Sequence, residues 1–377
     1  MKIAAIKEQE SNEKRSAVTP ETAKLLIDEK YSLFLEQNIG ANSGFSNQDY
    51  DNAGAKMSNV PLEIISDADI ILKVRPSPLN NKMNELELAK NGAILIGNFS
   101  TYQDCSYLKR AIQKKLSVIS MELVPRITKM QNIDSLSSQS NIAGYRAAIE
   151  AIYHYNKAIP MMVTAAGMIP PAKALIIGAG VAGLQAIATM KRMGAIVSAY
   201  DVRLDAKEQV ESLGAKFLSP FLAEVVQENS DYTKQISGNN QQIQEEFLFK
   251  ILQNQDIVIT TAQIPGRDAP ILINNKILAC MKNSSVILDM AISSGGNVEC
   301  SKLDEIVTMH DITVLGISNL PSRVPNDSTK LYANNIYNLL KYGISDNKFN
   351  FNDDIIKKML LIDNGNIVNK ELEAKIK

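Results

Sequence analysis

The tightest constraint on this chain is the stretch Ala172-Lys173-Ala174-Leu175-Ile176-Ile177-Gly178-Ala179-Gly180-Val181-Ala182-Gly183-Leu184. The apolar run from Ala174 to Ile177 leaves no room for a helix before Gly178. From Val181 to Met193 the residues are apolar at helical spacing, with Lys191 and Arg192 the charges near the end. The pattern predicts a strand, a tight glycine turn and a helix. Gly178 permits the turn, Gly180 lets the backbone approach a pyrophosphate, and Gly183 lets the helix sit close on the strand. Free N–H groups and the macrodipole at a helix N-terminus favour negative charge. Gly178, Ala179, Gly180, Val181, Ala182 and Gly183 are therefore the candidate phosphate-binding turn.

The surroundings match. A second apolar run, Ala195 to Tyr200, ends at Asp201, about 20 residues beyond the motif, where a Rossmann unit places its ribose-binding acid. An Asp there accepts hydrogen bonds from the ribose hydroxyls of NAD and repels the 2′-phosphate of NADP. Arg203 stands two residues on and softens that repulsion, so Asp201, Val202 and Arg203 form the candidate ribose-binding end.

A chain of 377 residues suits two domains rather than one core. A net charge of −1 lacks the basic excess of a nucleic-acid footprint. Cys105, Cys280 and Cys300 are too widely spaced for a disulfide framework or a zinc site, and His154 and His310 are the only histidines. Charges follow Met1 too soon for a signal peptide, and the longest uncharged run, Ala174 to Met190, is too short to span a bilayer. The expectation is a soluble cytoplasmic chain with no metal, no nucleic-acid partner and no direct membrane insertion.

Taken in order, strands are expected at Lys2 to Ile6, Ser32 to Glu36, Asp69 to Val74, Ala93 to Gly97 and Leu116 to Met121. A helix starts at Pro20 with Thr19 as N-cap, and others cover Lys82 to Lys90 and Tyr102 to Lys114. Beyond Asp201 come a helix at Ala206 to Leu213 and strands at Ala215 to Leu218, Asp256 to Thr261 and Ser285 to Asp289. Alternation of this kind implies an α/β fold of two Rossmann-like domains with parallel sheets. Interdomain helices join them, with the nucleotide in the cleft. Residues 1–137 and 325–377 are assigned to the first domain and 138–324 to the second, the crossings lying at Pro125 to Ser138 and Asn319 to Pro325.

The loop Pro125 to Ser138 is polar and without period, and it precedes a helix at Ser140 to Tyr155. Its Arg126, Gln131, Asp134 and Ser137 supply donors and acceptors of the kind a carboxamide needs, although composition alone also suits a solvated connector. Lys157 to Lys173 reads as a helix-to-strand connection packing the domains together. Gln227 to Gln244 reads as a long loop, functional or disordered, whose Tyr232 is a candidate to close over a nucleotide or else an ordinary exposed loop tyrosine. The turn Ala262-Gln263-Ile264-Pro265-Gly266 follows a strand at the carboxyl edge of the sheet, and Asp289 caps a turn beside it.

Together Arg15-Ser16-Ala17-Val18-Thr19-Pro20-Glu21, the Pro125 to Ser138 loop, Asn141-Ile142-Ala143-Gly144-Tyr145-Arg146, the glycine motif through Asp201, Lys207-Glu208-Gln209-Val210, Ile264-Pro265-Gly266 and Gly295-Gly296-Asn297 resemble the proton-translocating NAD(P) transhydrogenases. The likeness is to their soluble NAD(H)-binding component, the split alpha subunit, and covers nearly the whole chain. It implies reversible hydride transfer between NADH bound here and NADP(H) on a partner component, coupled to proton movement through membrane-embedded subunits. It implies a homodimer held at the inner membrane through those partners. The nicotinamide-positioning residues fall on Arg126, Gln131, Asp134 and Ser137, and a mobile-loop tyrosine on Tyr232. Gln263 and Gly266 join the cofactor-binding set.

The related alanine dehydrogenases are the alternative. Arg15 and Lys73 match their substrate-binding arginine and lysine, but their histidine has no counterpart in Gly97-Asn98-Phe99-Ser100. A regulatory NAD-binding module without turnover is a third reading.

Overall fold

A computed structural model describes residues 1–99, 105–220, 238–264 and 267–376, leaving aside the side chains of 238–241. The chain divides into two compact units, one of residues 1–139 with 321–377 and one of residues 140–320.

In the first unit, β1 (Lys2–Ala5), β2 (Ser32–Glu36), β3 (Lys56–Ser58), β4 (Ile70–Leu72), β5 (Ile94–Gly97) and β6 (Ser117–Ser120) form a parallel sheet in the order β3-β2-β1-β4-β5-β6. This is the doubly wound Rossmann order, which reverses direction between β1 and β4. Alternate residues serve opposite faces: Ile3 and Ala5 join one core cluster, Ala4 and Ile6 the other. Both faces are covered, which is why the strands read as unbroken apolar runs. Thr19 caps the first helix as expected, its hydroxyl accepting from Thr22 N at 3.1 Å.

The sheet is not purely parallel. The terminal segment, which in sequence is polar with scattered apolar residues, supplies Leu360–Asp363, which pairs antiparallel with β6, and Asn366–Ile367 beyond it. Leu361 and Ile362 are fully buried there. The expected helix at Lys82 to Lys90 shrinks to Glu85–Leu88, and the helix placed at Tyr102 to Lys114 is described over Ser106–Gln113.

The second unit begins within the helix Ser135–His154, which is followed by a hairpin, β7 (Met162–Thr164) and β8 (Gly167–Ile169), every strand residue of which is exposed. The helix-to-strand connection expected over this stretch thus contains a hairpin; two strands of three residues leave little periodicity to detect. The main sheet comprises β9 (Lys173–Ile177), β10 (Ile196–Tyr200), β11 (Lys216–Leu218), β12 (Ile257–Thr260), β13 (Val286–Asp289), β14 (Ile306–Met309) and β15 (Ile312–Leu315), in the order β11-β10-β9-β12-β13-β15-β14. All neighbours are parallel except β14 and β15. Of the loop expected at Gln227 to Gln244, residues 238–244 lie in a helix, Gly238–Leu252, and residues 227–237 lie outside the described residues.

Each sheet has its own switch point, and the first is filled by charge. Beyond β4 the Lys73 ammonium, fully buried, lies 3.3 Å from Glu8 and donates to the Lys7 carbonyl at 3.1 Å. Arg15 pairs with both oxygens of Glu13 at 2.8 and 2.6 Å and reaches Gln139 at 2.8 Å. Burial pushes the Glu8 carboxyl up to about 7 against the pull of Lys73. Burial also acts on Glu13, but the Arg15 guanidinium overrides it and lowers that carboxyl to about 2.

These shifts carry opposite signs. Glu8 binds its proton more tightly folded than unfolded, so its contribution is present below pH 4.5 and lost as pH rises to about 7. Glu13 contributes above pH 4.5 and loses that contribution as pH falls towards 2. Denaturant unfolding followed between pH 5 and 7 is expected to show stability falling by on the order of 1 kcal/mol per pH unit. Glu8→Gln is expected to flatten that slope.

Candidate functional site

The glycine turn sits at the second switch point, between β9 and β12, where an open α/β sheet leaves a crevice. Gly178 adopts φ +99°, and a Cβ there would meet Thr261 Oγ1 at 2.4 Å. Thr261, just after β12, donates its hydroxyl to the Gly178 carbonyl at 3.1 Å and so ties the two sides of the switch together. A Cβ on Gly183 would stand 1.9 Å from the same carbonyl. Gly180 differs: nothing lies within 4 Å of where its Cβ would be. It caps the helix Val181–Arg192, which has no side-chain cap at its N-terminus. Open space over uncapped N–H groups fits a pyrophosphate.

A further glycine supports this turn from behind. Gly144, on the helix Ser135–His154, would place a Cβ 2.0 Å from the Ala182 carbonyl. It lets that helix lie directly against the turn.

Asp201 ends β10 and is 6% exposed. Its Oδ2 accepts from Ala179 N at 2.7 Å and from Arg203 Nη2 at 3.0 Å. Its Oδ1 accepts from Arg203 N at 2.8 Å and Nε at 3.1 Å. Burial alone would raise this carboxyl, but the Arg203 guanidinium and the two backbone N–H groups hold it below its usual value. Val202 is half exposed beside it.

Two residues organise this edge: Asp289, which the sequence reads as a turn cap, and Asn297, whose role as a clamp it does not reveal. Asp289, fully buried, accepts from Thr260 Oγ1, Ala291 N, Asn297 N and Val298 N at 2.9 to 3.1 Å. Asn297 then grips the backbone of Ala262 from both sides, its Oδ1 accepting from Ala262 N at 3.1 Å and its Nδ2 donating to Ala262 O at 2.9 Å. The same Nδ2 donates to Pro270 O at 2.8 Å. This fixes the start of the segment carrying Gln263, whose exposed side chain donates to Met290 O at 3.2 Å. The available signal is Gly295-Gly296 ahead of Asn297, both at positive φ. Tyr232 and Gly266 lie outside the described residues.

The other candidates belong to the first unit. Met130 and Ile133 are buried and anchor the loop, so it is more than a solvated connector. Arg126 and Gln131 stand exposed on it. Asp134 and Ser137 engage each other: Asp134 accepts from Ser137 N at 2.9 Å and Ser137 Oγ at 2.6 Å, capping the helix that begins at Ser135. A polar recess of about 300 Å³, lined by His154, Asn283, Ser284 and Asp311, lies at the amino ends of β13 and β15, away from the glycine turn.

A Rossmann sheet with an open glycine turn and an acid at the end of its second strand defines a nicotinamide-nucleotide-binding oxidoreductase fold. The chain belongs to the alanine dehydrogenase/PNT family: "Alanine dehydrogenase/PNT, N-terminal domain" matches residues 4–143 and "Alanine dehydrogenase/PNT, C-terminal domain" residues 147–370. It is 54% identical over 375 residues to the first part of NAD(P) transhydrogenase subunit alpha from Rickettsia prowazekii (strain Madrid E), covering 100% of this chain and 98% of that one. The protein of the same description from Rhodospirillum rubrum is 41% identical over 343 residues, covering 90% and 89%. Among solved structures, the transhydrogenase from Sinorhizobium meliloti aligns with a TM-score of 0.87 at 38% identity, covering 97% of this chain and 99% of that one. Among the described residues no helix is long and apolar enough to cross a membrane.

The glycines separate binding from stability. Gly180→Ala is expected to leave the melting temperature unchanged while weakening nucleotide binding at least tenfold, about 1.4 kcal/mol, in equilibrium titration. Gly144→Ala is expected to destabilise the fold by about 1–3 kcal/mol in denaturant unfolding, since the helix or the turn must shift.

Proposed function

We propose that this chain is the NAD(H)-binding component of a proton-translocating NAD(P) transhydrogenase, and that hydride passes reversibly between NADH held here and NADP⁺ held by a partner component. Membrane-embedded partner subunits couple the transfer to proton movement, and the chain works on the cytoplasmic side of the inner membrane through them. The observation that carries this reading is the open space at Gly180 beside an uncapped helix, with Asp201 at the neighbouring strand end. The turn from Gly178 to Gly183 holds the pyrophosphate. Asp201 takes the ribose and favours NADH over NADPH, with Val202 and Arg203 beside it. Gln263, Gly266 and Tyr232 complete the nucleotide contacts.

Direct transfer between two nicotinamides asks for no acid or base from this chain. Its task is to orient one ring and exclude water. Arg126, Gln131, Asp134 and Ser137 perform the orientation, with Asp134 and Ser137 bracing each other and Arg126 and Gln131 reaching the carboxamide. Arg15 and Lys73, the residues shared with alanine dehydrogenases, already have Glu13 and Glu8 as partners.

Gln131→Asn retains the amide and shortens its reach by one methylene. In single-turnover assays with the NADP(H)-binding component, transfer is expected to slow on the order of 10²-fold. The NADH dissociation constant is expected to shift by no more than about 1 kcal/mol, the net worth of one neutral hydrogen bond. Equal loss in both measurements would make the loop a general binding element instead.

The exposed hairpin bears on the proposed homodimer. Met161, Met162, Val163, Met168 and Ile169, on and next to the two short strands, are 44 to 73% exposed. An apolar surface of that kind marks an interaction site, and we assign it to the second copy. Val163→Asp is expected to convert the dimer to a monomer in sedimentation velocity while leaving the circular dichroism spectrum unchanged.

A further inference from the structure

The Asp201 carboxylate has no acceptor capacity left. Two oxygens offer about four lone-pair directions, and Ala179 N, Arg203 N, Arg203 Nε and Arg203 Nη2 occupy them. The two backbone donors are fixed by the glycine turn and by the course of the chain. The other two belong to a guanidinium on a side chain that is 62% exposed, at the end of a flexible stem. A ribose presents two vicinal hydroxyls, which need the same two lone pairs. Both sets of donors cannot be satisfied together.

We propose that the Arg203 guanidinium is a displaceable latch on Asp201, which imitates the ribose hydroxyls, competes with them for the carboxylate and sets how strongly the chain distinguishes NADH from NADPH. This rests on the placement of the ribose at Asp201 proposed above. NADH binds by exchanging two hydroxyls for the guanidinium, so part of the interaction at Asp201 goes to breaking a charged hydrogen-bonded pair. The released guanidinium stays tethered, because the Arg203 backbone N–H keeps its bond to Oδ1. It is then positioned beside the ribose, where the 2′-phosphate of NADPH would lie. One residue thus opposes the binding of NADH and assists that of NADPH.

Equilibrium titration of the full chain with NADH and with NADPH tests this. Arg203→Ala is expected to tighten NADH by about 3- to 10-fold and to weaken NADPH by a similar factor, the range expected for one or two charged hydrogen bonds exchanged against neutral ones. Arg203→Lys keeps the charge without the fork; it is expected to tighten NADH while retaining most NADPH affinity, and it carries the test should Arg203→Ala fail to fold. If both variants bind NADH as the parent does, or more weakly, the latch is refuted and Arg203 is a bystander or a direct phosphate ligand. Asp201→Asn separates the two layers. An unchanged NADH affinity in that variant overturns the ribose placement and the latch with it. A loss of tenfold or more, combined with no tightening in the Arg203 variants, overturns the latch alone.

Discussion

The second unit depends on a contact made by the absence of a side chain. The backbone of Gly183 rests on the carbonyl of Gly178, and one methyl group there would stand 1.9 Å from that oxygen. Because the two glycines touch, the helix Val181–Arg192 begins directly over the end of β9 and its first N–H groups face outward at the switch point. Thr261 bonds the same carbonyl from β12. Gly144 brings a second helix against the turn at Ala182. Three elements therefore converge on one turn, and the position of the uncapped helix end follows from them.

Round this turn the protein fixes its loops with side-chain amides and carboxylates instead of regular pairing. Asn297 treats the backbone of Ala262 as a neighbouring strand would, giving one acceptor and one donor. Asp289 collects N–H groups from two places in the following loop. Burial raises the pKa of that carboxylate, and four hydrogen bonds offset part of the cost. Such pinning suits a carboxyl edge that must hold its shape while exposing Gln263.

The fold is legible in the sequence wherever apolar runs are long. β9 and β10 and the helix between them follow from Ala174 to Tyr200, because buried parallel strands cannot hide their composition. Short or edge elements escape. The hairpin of Met162–Thr164 and Gly167–Ile169 has no buried face to impose alternation, and Leu360–Asp363 joins a strand some 240 residues earlier in the chain, a pairing that no local pattern encodes. Of the candidate site, the glycines and Asp201 are readable because backbone geometry demands them. Asn297 is not readable as a clamp, since its role exists only through contact with Ala262 and Pro270. The mutual bonding of Asp134 and Ser137 is likewise invisible, although their spacing of three is that of a helix cap and its third residue.

The ion pairs beyond β1 and β4 divide labour within the chain. Five strands of each sheet follow the same order, β3-β2-β1-β4-β5 and β11-β10-β9-β12-β13, so the architecture offers a switch point in each. In the first, Glu8 meets Lys73 and Glu13 meets Arg15, all four side chains at most 4% exposed. In the second, the corresponding place holds glycine and open space. Repetition of the fold therefore does not repeat the surface at the switch point: one crevice is closed by ion pairs and the other is open at Gly180. A few side chains at two strand ends thus separate a crevice closed by ion pairs from one left open over a helix end.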